Sequence, residues 1–251
     1  MAKNPVESIA RSYFESKQVV DHYFMESHRV GLWQSESRLF QSSLQKNDRI
    51  LDLGCGTGRI AFGLENLGYT SVSGADYSSG MVAVAKQIAE SLGSKLSFIE
   101  ADARCLPWSD GEFDGVIFGF NGFFMIPGHE ERLKALKEIH RVLKPGCHFI
   151  FTGHDRELSN QRDHWQNKEA APPTGGVQQG GDTEFGDVVS KTELGTMYIH
   201  STSTEFVELM LLDHGFENVE TWLRSELGNE SALVRNFSDE CRFWTASKMG
   251  N

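Results

Sequence analysis

Residues 50–59 read ILDLGCGTGR, three apolar side chains and an aspartate running straight into glycines at 54, 56 and 58. A strand interior does not gain from glycine at every second position, since each one costs backbone entropy and removes a side chain from the packing. The cluster therefore ends a strand, turns the main chain sharply and brings bare backbone close to something else. A helix is predicted over 58–67. Strand, glycine turn and helix together put N–H groups and a helix N-terminus at the carboxyl end of a strand, where open α/β sheets bind their ligands.

The same unit recurs along the chain. Short apolar runs predict strands at 49–53, 71–75, 96–100, 113–119 and 148–152, and helical spacing predicts helices at 58–67, 78–92 and 130–143. The third of these helices is stopped by Lys144-Pro145-Gly146, a basic last turn followed by breakers. A further helix is predicted over 204–214 and two closing strands over 216–223 and 241–247. Alternating β and α elements argue for a doubly wound, mostly parallel α/β sheet covered on both faces. Residues 5–44 read as helical in two pieces broken near Gly31. The expected organisation is a helical lid over 1–46 and one domain over 47–251. That domain carries an insertion at about 155–200, in which 171–181 is a loop by composition and 185–200 a hairpin turning near 193–195.

Composition excludes several classes. The chain has 251 residues, 39% hydrophobic and 24% charged, with a formal net charge of −11. That acidity repels phosphate backbones and anionic membrane surfaces, so neither nucleic acid nor membrane is an expected partner. The four cysteines, at 55, 105, 147 and 241, show no CxxC pair and no zinc spacing, and read as reduced thiols of a cytoplasmic protein. The start, MAKNPVESIA, has no apolar core of a signal peptide.

The glycine turn is not a dinucleotide fingerprint. G-x-G-x-x-G needs a small sixth residue for close helix packing, and Arg59 stands there. The phosphate-cradling G-x-x-x-x-G-K-[ST] is absent. What remains is Asp52-x-Gly54-x-Gly56-x-Gly58. With GADYSSGM (74–81), IEADARCLPWSDGEFD (99–114) and RVLKPG (141–146), in that order, the chain resembles the class I S-adenosylmethionine-dependent methyltransferases. The resemblance runs from about Asn47 to Phe151 and resumes in the last strands. It implies a Rossmann-like seven-stranded methyltransferase fold, S-adenosyl-L-methionine as cofactor and methyl transfer to the O, N, S or C atom of a small-molecule substrate. A fold-only cofactor-binding protein is the alternative, and a nucleic-acid or protein methyltransferase a weaker one.

Site residues follow position by position. Asp76, at a strand end, can accept from both ribose hydroxyls; the competing reading is a helix cap. Tyr77 and Met81 flank adenine or serve an apolar helix face. By resemblance, Asp102 takes the adenine amino group and the Ala103 N–H a ring nitrogen. By resemblance too, Asp52, Gly54 and the rest of the turn (Cys55, Gly56, Gly58), with Phe120, lie against the methionine part. Tyr23 and Trp33 are aromatic candidates for a lid over a sulfonium; the alternative is an amphipathic helix covering the sheet. Catalytic candidates are Tyr23, Asn121, a polar residue within the apolar run FNGFFMIPG, and His154, whose neighbour Asp155 can orient an imidazole. The competing readings are a turn asparagine and a solvated loop pair. Trp165, Phe185, Met197, Tyr198 and His200 of the insertion are expected to roof a substrate pocket or to form a small core. No acid cluster suggests a metal, and no [DN]-P-P-[YF] follows the fourth strand, which argues against methylation of a base amine.

Overall fold

The computed structural model describes residues 5–158 and 184–250. Its centre is a seven-stranded sheet in the order β3-β2-β1-β4-β5-β9-β8. The strands are β1 (Arg49–Leu53), β2 (Ser71–Asp76), β3 (Ser97–Glu100), β4 (Phe113–Phe118), β5 (Leu143–Gly153), β8 (Phe216–Leu223) and β9 (Arg242–Lys248). The first five pair in parallel; β9 runs antiparallel between β5 and β8. β1, β4 and β9 are buried on nearly every residue, as strands covered on both faces must be. Two apolar clusters fill the two sides. One holds Leu51, Phe118, Phe149, Phe151 and Trp244; the other holds Ile50, Ile60, Leu64, Phe98 and Phe243.

Helices α4 (Arg59–Asn66), α5 (Ser79–Leu92) and α6 (His129–Val142) connect the parallel strands, and α7 (Thr204–Asp213) precedes β8. Two short helices that the sequence did not suggest, α8 (Arg224–Leu227) and α9 (Ala232–Phe237), link β8 to β9. The winding reverses between β1 and β4, so a crevice opens at their carboxyl ends, the usual ligand position of such sheets.

The N-terminal region forms three helices, not the expected two: α1 (Pro5–Glu15), α2 (Lys17–Val30) and α3 (Gln34–Ser43). The additional break falls at Ser16, whose hydroxyl accepts from the Val19 N–H at 3.3 Å and caps α2. The second break is at Gly31, with φ 61°. In the insertion, β6 (Asp187–Thr192) and β7 (Gly195–His200) form the predicted antiparallel hairpin. This hairpin backs onto α1, burying Tyr198 with Val6 and Ala10, while Leu194 and Met197 pack on the Tyr13 cluster.

Candidate active site

The glycine turn takes its shape from its own N–H groups. Cys55 N–H donates to the Ala75 carbonyl at 3.0 Å, Gly58 N–H to the Cys55 carbonyl at 2.9 Å, and Gly56 N–H to the Asp76 carboxylate at 2.9 Å. Gly54, Gly56 and Gly58 have φ of 65°, 54° and 92°, the left-handed region that favours glycine. A side chain at Gly54 would also meet the Phe118 ring at 2.5 Å, whereas one at Gly56 would stand in open space.

Three carboxylates end the first three strands, and each has a different environment. Asp52 accepts from the Ala61 N–H at 3.0 Å, in the first turn of α4. Burial pushes it up to about 8, against the Arg59 charge and that hydrogen bond. Asp76 accepts from Gly56 on one oxygen and from the Ser78 N–H, at 2.8 Å, on the other. Each oxygen keeps a further lone pair. Burial raises Asp76 and the two N–H groups draw it back down. Asp102 is half enclosed; burial pushes it up, but the Arg104 guanidinium and N–H outweigh this and hold it below its ordinary range. Arg104 Nη2 and Nε lie 2.7 Å and 2.9 Å from its two oxygens.

These groups share one cleft. Of the predicted residues it is lined by Tyr23, Asp52, Gly54, Cys55, Gly56, Asp76, Tyr77, Met81, Asp102, Ala103 and Phe120. The sequence reading missed further wall residues: Glu7, Arg11 and Phe14 of α1, Ser27 of α2, Thr57, Arg104, Phe118, residues 125–127 and Phe237. Thr57 and residues 125–127 lie within the glycine motif and the FNGFFMIPG run already singled out, and Arg104 is a cation two residues from a predicted ligand carboxylate. The N-terminal helices α1 and α2 are stitched to the cleft floor. Tyr77 Oη donates to the Ala10 carbonyl at 3.0 Å, Ser78 Oγ to the Phe14 carbonyl at 2.8 Å, and the Ser27 and Thr57 hydroxyls pair at 3.0 Å.

Four predicted residues are not on the cleft wall. Gly58 is the N-cap of α4. Trp33 is 1% exposed, its ring held between the Arg59 and Arg224 guanidinium groups at 4.9 Å and 5.3 Å. Asn121 is buried behind Phe120, its N–H donating to Thr152 Oγ1 at 2.8 Å. Its Nδ2 lies 3.3 Å from His154 Nε2. Phe120 and Asn121 are consecutive left-handed residues, with φ of 48° and 62°. For side chains such backbone is strained, and strain of this kind concentrates at functional sites.

The expected His154–Asp155 pair does not form. Alternation at the end of β5 sends the two side chains apart, and Asp155 accepts instead from Arg242 Nε at 2.7 Å, Thr204 Oγ1 at 3.3 Å and the Glu157 N–H at 2.8 Å. Burial lowers His154, outweighing Asp239 and the Glu240 backbone. Nor do the described insertion residues roof the cleft. Tyr198 and His200 are buried, both donating to Asp187, and Phe185 points outward; Trp165 lies outside the described residues. Glu184, Asp187 and His200 bring one ligand atom each within 4.8 Å of one another. The Arg132 guanidinium already sits against Glu184 and compensates the charge there.

The cleft suits an adenosine bearing a cation: a turn with open space at Gly56, a carboxylate with two spare lone pairs at Asp76, a second acid at Asp52 and apolar rings between. Residues 50–146 match the family model described as "Methyltransferase domain". A demethylmenaquinone methyltransferase of Thermus thermophilus is 46% identical over 103 residues, 41% of this chain and 45% of the relative. The chain spans about half the length of the curated relatives it matches. Among solved structures, a protein of Methanosarcina mazei described as a SAM-dependent methyltransferase superposes with a TM-score of 0.66 at 24% identity, over 85% of this chain and 98% of that one. The [4+2]-cyclase SpnF superposes at 0.64 and 18% identity, over 99% and 98%. Fold and site define a Rossmann-like methyltransferase-type domain. Residues 50–146 carry the match to that methyltransferase family model, and the chain as a whole has the fold of SAM-dependent methyltransferases.

Proposed function

We propose that the protein transfers a methyl group from S-adenosylmethionine to a small-molecule acceptor by in-line displacement. The observation that carries this reading is Asp76, buried on the cleft wall, bracing the glycine turn while keeping a lone pair on each oxygen. On this reading Asp76 holds the ribose hydroxyls, Ala103 and the Asp102 loop the adenine, and Asp52 with the 54–57 turn the methionine ammonium. When bound, S-adenosylmethionine supplies an electrophilic methyl on a sulfonium. The chain's own part is to position the acceptor and exclude water, which in favourable systems lowers barriers by about 7–11 kcal/mol. Tyr23, Phe120, Phe237 and Met125 form the apolar end of the cleft for that task. Burial raises the Tyr23 phenol, keeping it protonated and so not a proton acceptor; His154, off the cleft wall and in contact with Asn121, acts on this reading from behind the wall by holding the Phe120–Asn121 turn. The ring-lined end suits an acceptor with an aromatic or quinone-type body, the class named for the Thermus relative.

Calorimetry with S-adenosylmethionine and S-adenosylhomocysteine tests the reading: neither heat nor thermal shift with either would end it. Asp76→Ala is expected to weaken binding by about 10- to 100-fold, the loss of charge-assisted hydrogen bonds. The same fold is found in a [4+2]-cyclase, and the second reading is cofactor binding without methyl transfer. Label transfer from methyl-labelled cofactor to a metabolite pool supports the first; binding without transfer supports the second. No described helix is long and apolar enough to cross a membrane, and free thiols at Cys55, Cys105, Cys147 and Cys241 support a cytoplasmic setting.

A further inference from the structure

Arg104 does more than neutralise Asp102. Its Nη1 also lies 2.9 Å from Glu7 Oε1, on the lid helix α1, and 2.8 Å from Glu131 Oε2, on α6. One guanidinium thus joins three elements that meet at the adenosine end of the cleft. Arg104, Asp102 and Glu7 all line that end, with Ala10, Arg11 and Phe14 of the same helix. The other ties of α1 come from Tyr77 and Ser78, the two residues directly after Asp76. The loops that end β2 and β3 therefore hold the lid as well as the cleft floor. α1 is pressed down from outside by the hairpin, through Tyr198 and Val189.

We propose that Arg104 is a latch residue: through Glu7 it clamps α1 over the adenosine end, so that cofactor exchange requires the Arg104–Glu7 pair to part. The proposal rests on the cofactor reading above. Arg104 acts through Asp102 and Glu7, and is in this sense a positioning residue. Coupling of this kind is reciprocal: a closed lid slows departure of the cofactor, and a bound cofactor holds the lid. The Glu7 side chain is 35% exposed and that of Arg104 is 23% exposed, so the clamp is partly screened and its release is favoured by salt.

The test compares wild type, Glu7→Gln and Glu7→Asp, which retains the charge. S-adenosylhomocysteine dissociation is followed by stopped flow, and hydrogen exchange of residues 5–15 is followed in the ligand-free protein. Glu7→Gln is expected to raise the dissociation rate about fivefold and to speed exchange across α1. Glu7→Asp is expected to restore most of both, and high salt to erase the difference between wild type and Glu7→Gln. Equal dissociation and equal α1 exchange in wild type and Glu7→Gln would overturn the latch while leaving the cofactor reading intact. Failure of the wild type to bind S-adenosylhomocysteine would overturn the cofactor reading, and the coupling with it.

Discussion

In the ligand-free protein Asp52 is an acid placed where its neutral form is favoured; on the proposed reading a bound ammonium draws it back toward the charged form. With the unfolded carboxyl titrating near 3.8 and the folded one near 8, the unfolded chain has released this proton across the interval where the fold still holds it. Stability from this group is therefore full below about pH 4, falls as pH rises toward 8 and is level above. Asp52→Asn keeps an acceptor for the Ala61 N–H and removes the titration. It is expected to raise Tm at pH 8 by about 2–4 °C for each kcal/mol recovered, and to flatten the decline between pH 4 and 8; thermal melts across that range check this. His154 carries a separate expectation. Its replacement by alanine should lower turnover while cofactor affinity by calorimetry stays unchanged. Asp52 and Asp76 were readable as cleft-lining residues because each stands at a strand end beside a glycine turn. What each carboxylate does to the backbone was not, since the N–H that Asp52 accepts from is nine residues along and reaches it only once α4 has formed.

Among the elements, the join between the lid and the sheet is decided by a buried ion pair. Arg59, in the first turn of α4, forms a two-pronged pair with Glu36 of α3, both contacts 2.6 Å, and donates to the Gly31 carbonyl at 2.9 Å. Gly31 is where α2 ends, so one side chain ties the end of α2 to α3 and α4. Removing one partner strands the other charge in a site where the two side chains are 8% and 1% exposed. Arg59→Met is expected to cost about 3–5 kcal/mol in urea unfolding, and the Glu36→Gln, Arg59→Met double variant clearly less than the two singles summed. In the sequence, Arg59 served only to exclude a dinucleotide fingerprint. Its partner lies 23 residues upstream on a separate helix, and nothing local to either residue signals the pairing. The same limit hid the break at Ser16, because apolar spacing continues on both sides of it and only the cap geometry ends the helix.

At the scale of the molecule, the alternation of apolar runs with helical spacing was enough to anticipate the parallel sheet, the closing strands and the position of the cleft. The insertion was not readable in the same way. Met197, Tyr198 and His200 are the residue types of a ligand roof and equally those of a support, and only packing separates the two: Met197 and Tyr198 lie on Val6, Ala10 and Tyr13 of α1, and His200 lies against Asp187 and Phe124. The closing strands have a consequence of their own. β9 is the last of the described strands in sequence order but lies inside the sheet, flanked by β5 and β8 and burying Phe243, Trp244 and Ala246. During synthesis, the gap beside β5 stays open until translation has passed residue 248 and that stretch has cleared the ribosomal exit tunnel. A nascent chain must therefore carry the unpaired edge of β5, with Phe151 awaiting Trp244 and Phe149 awaiting Ala246, and it is in that interval that chaperones have most to shield.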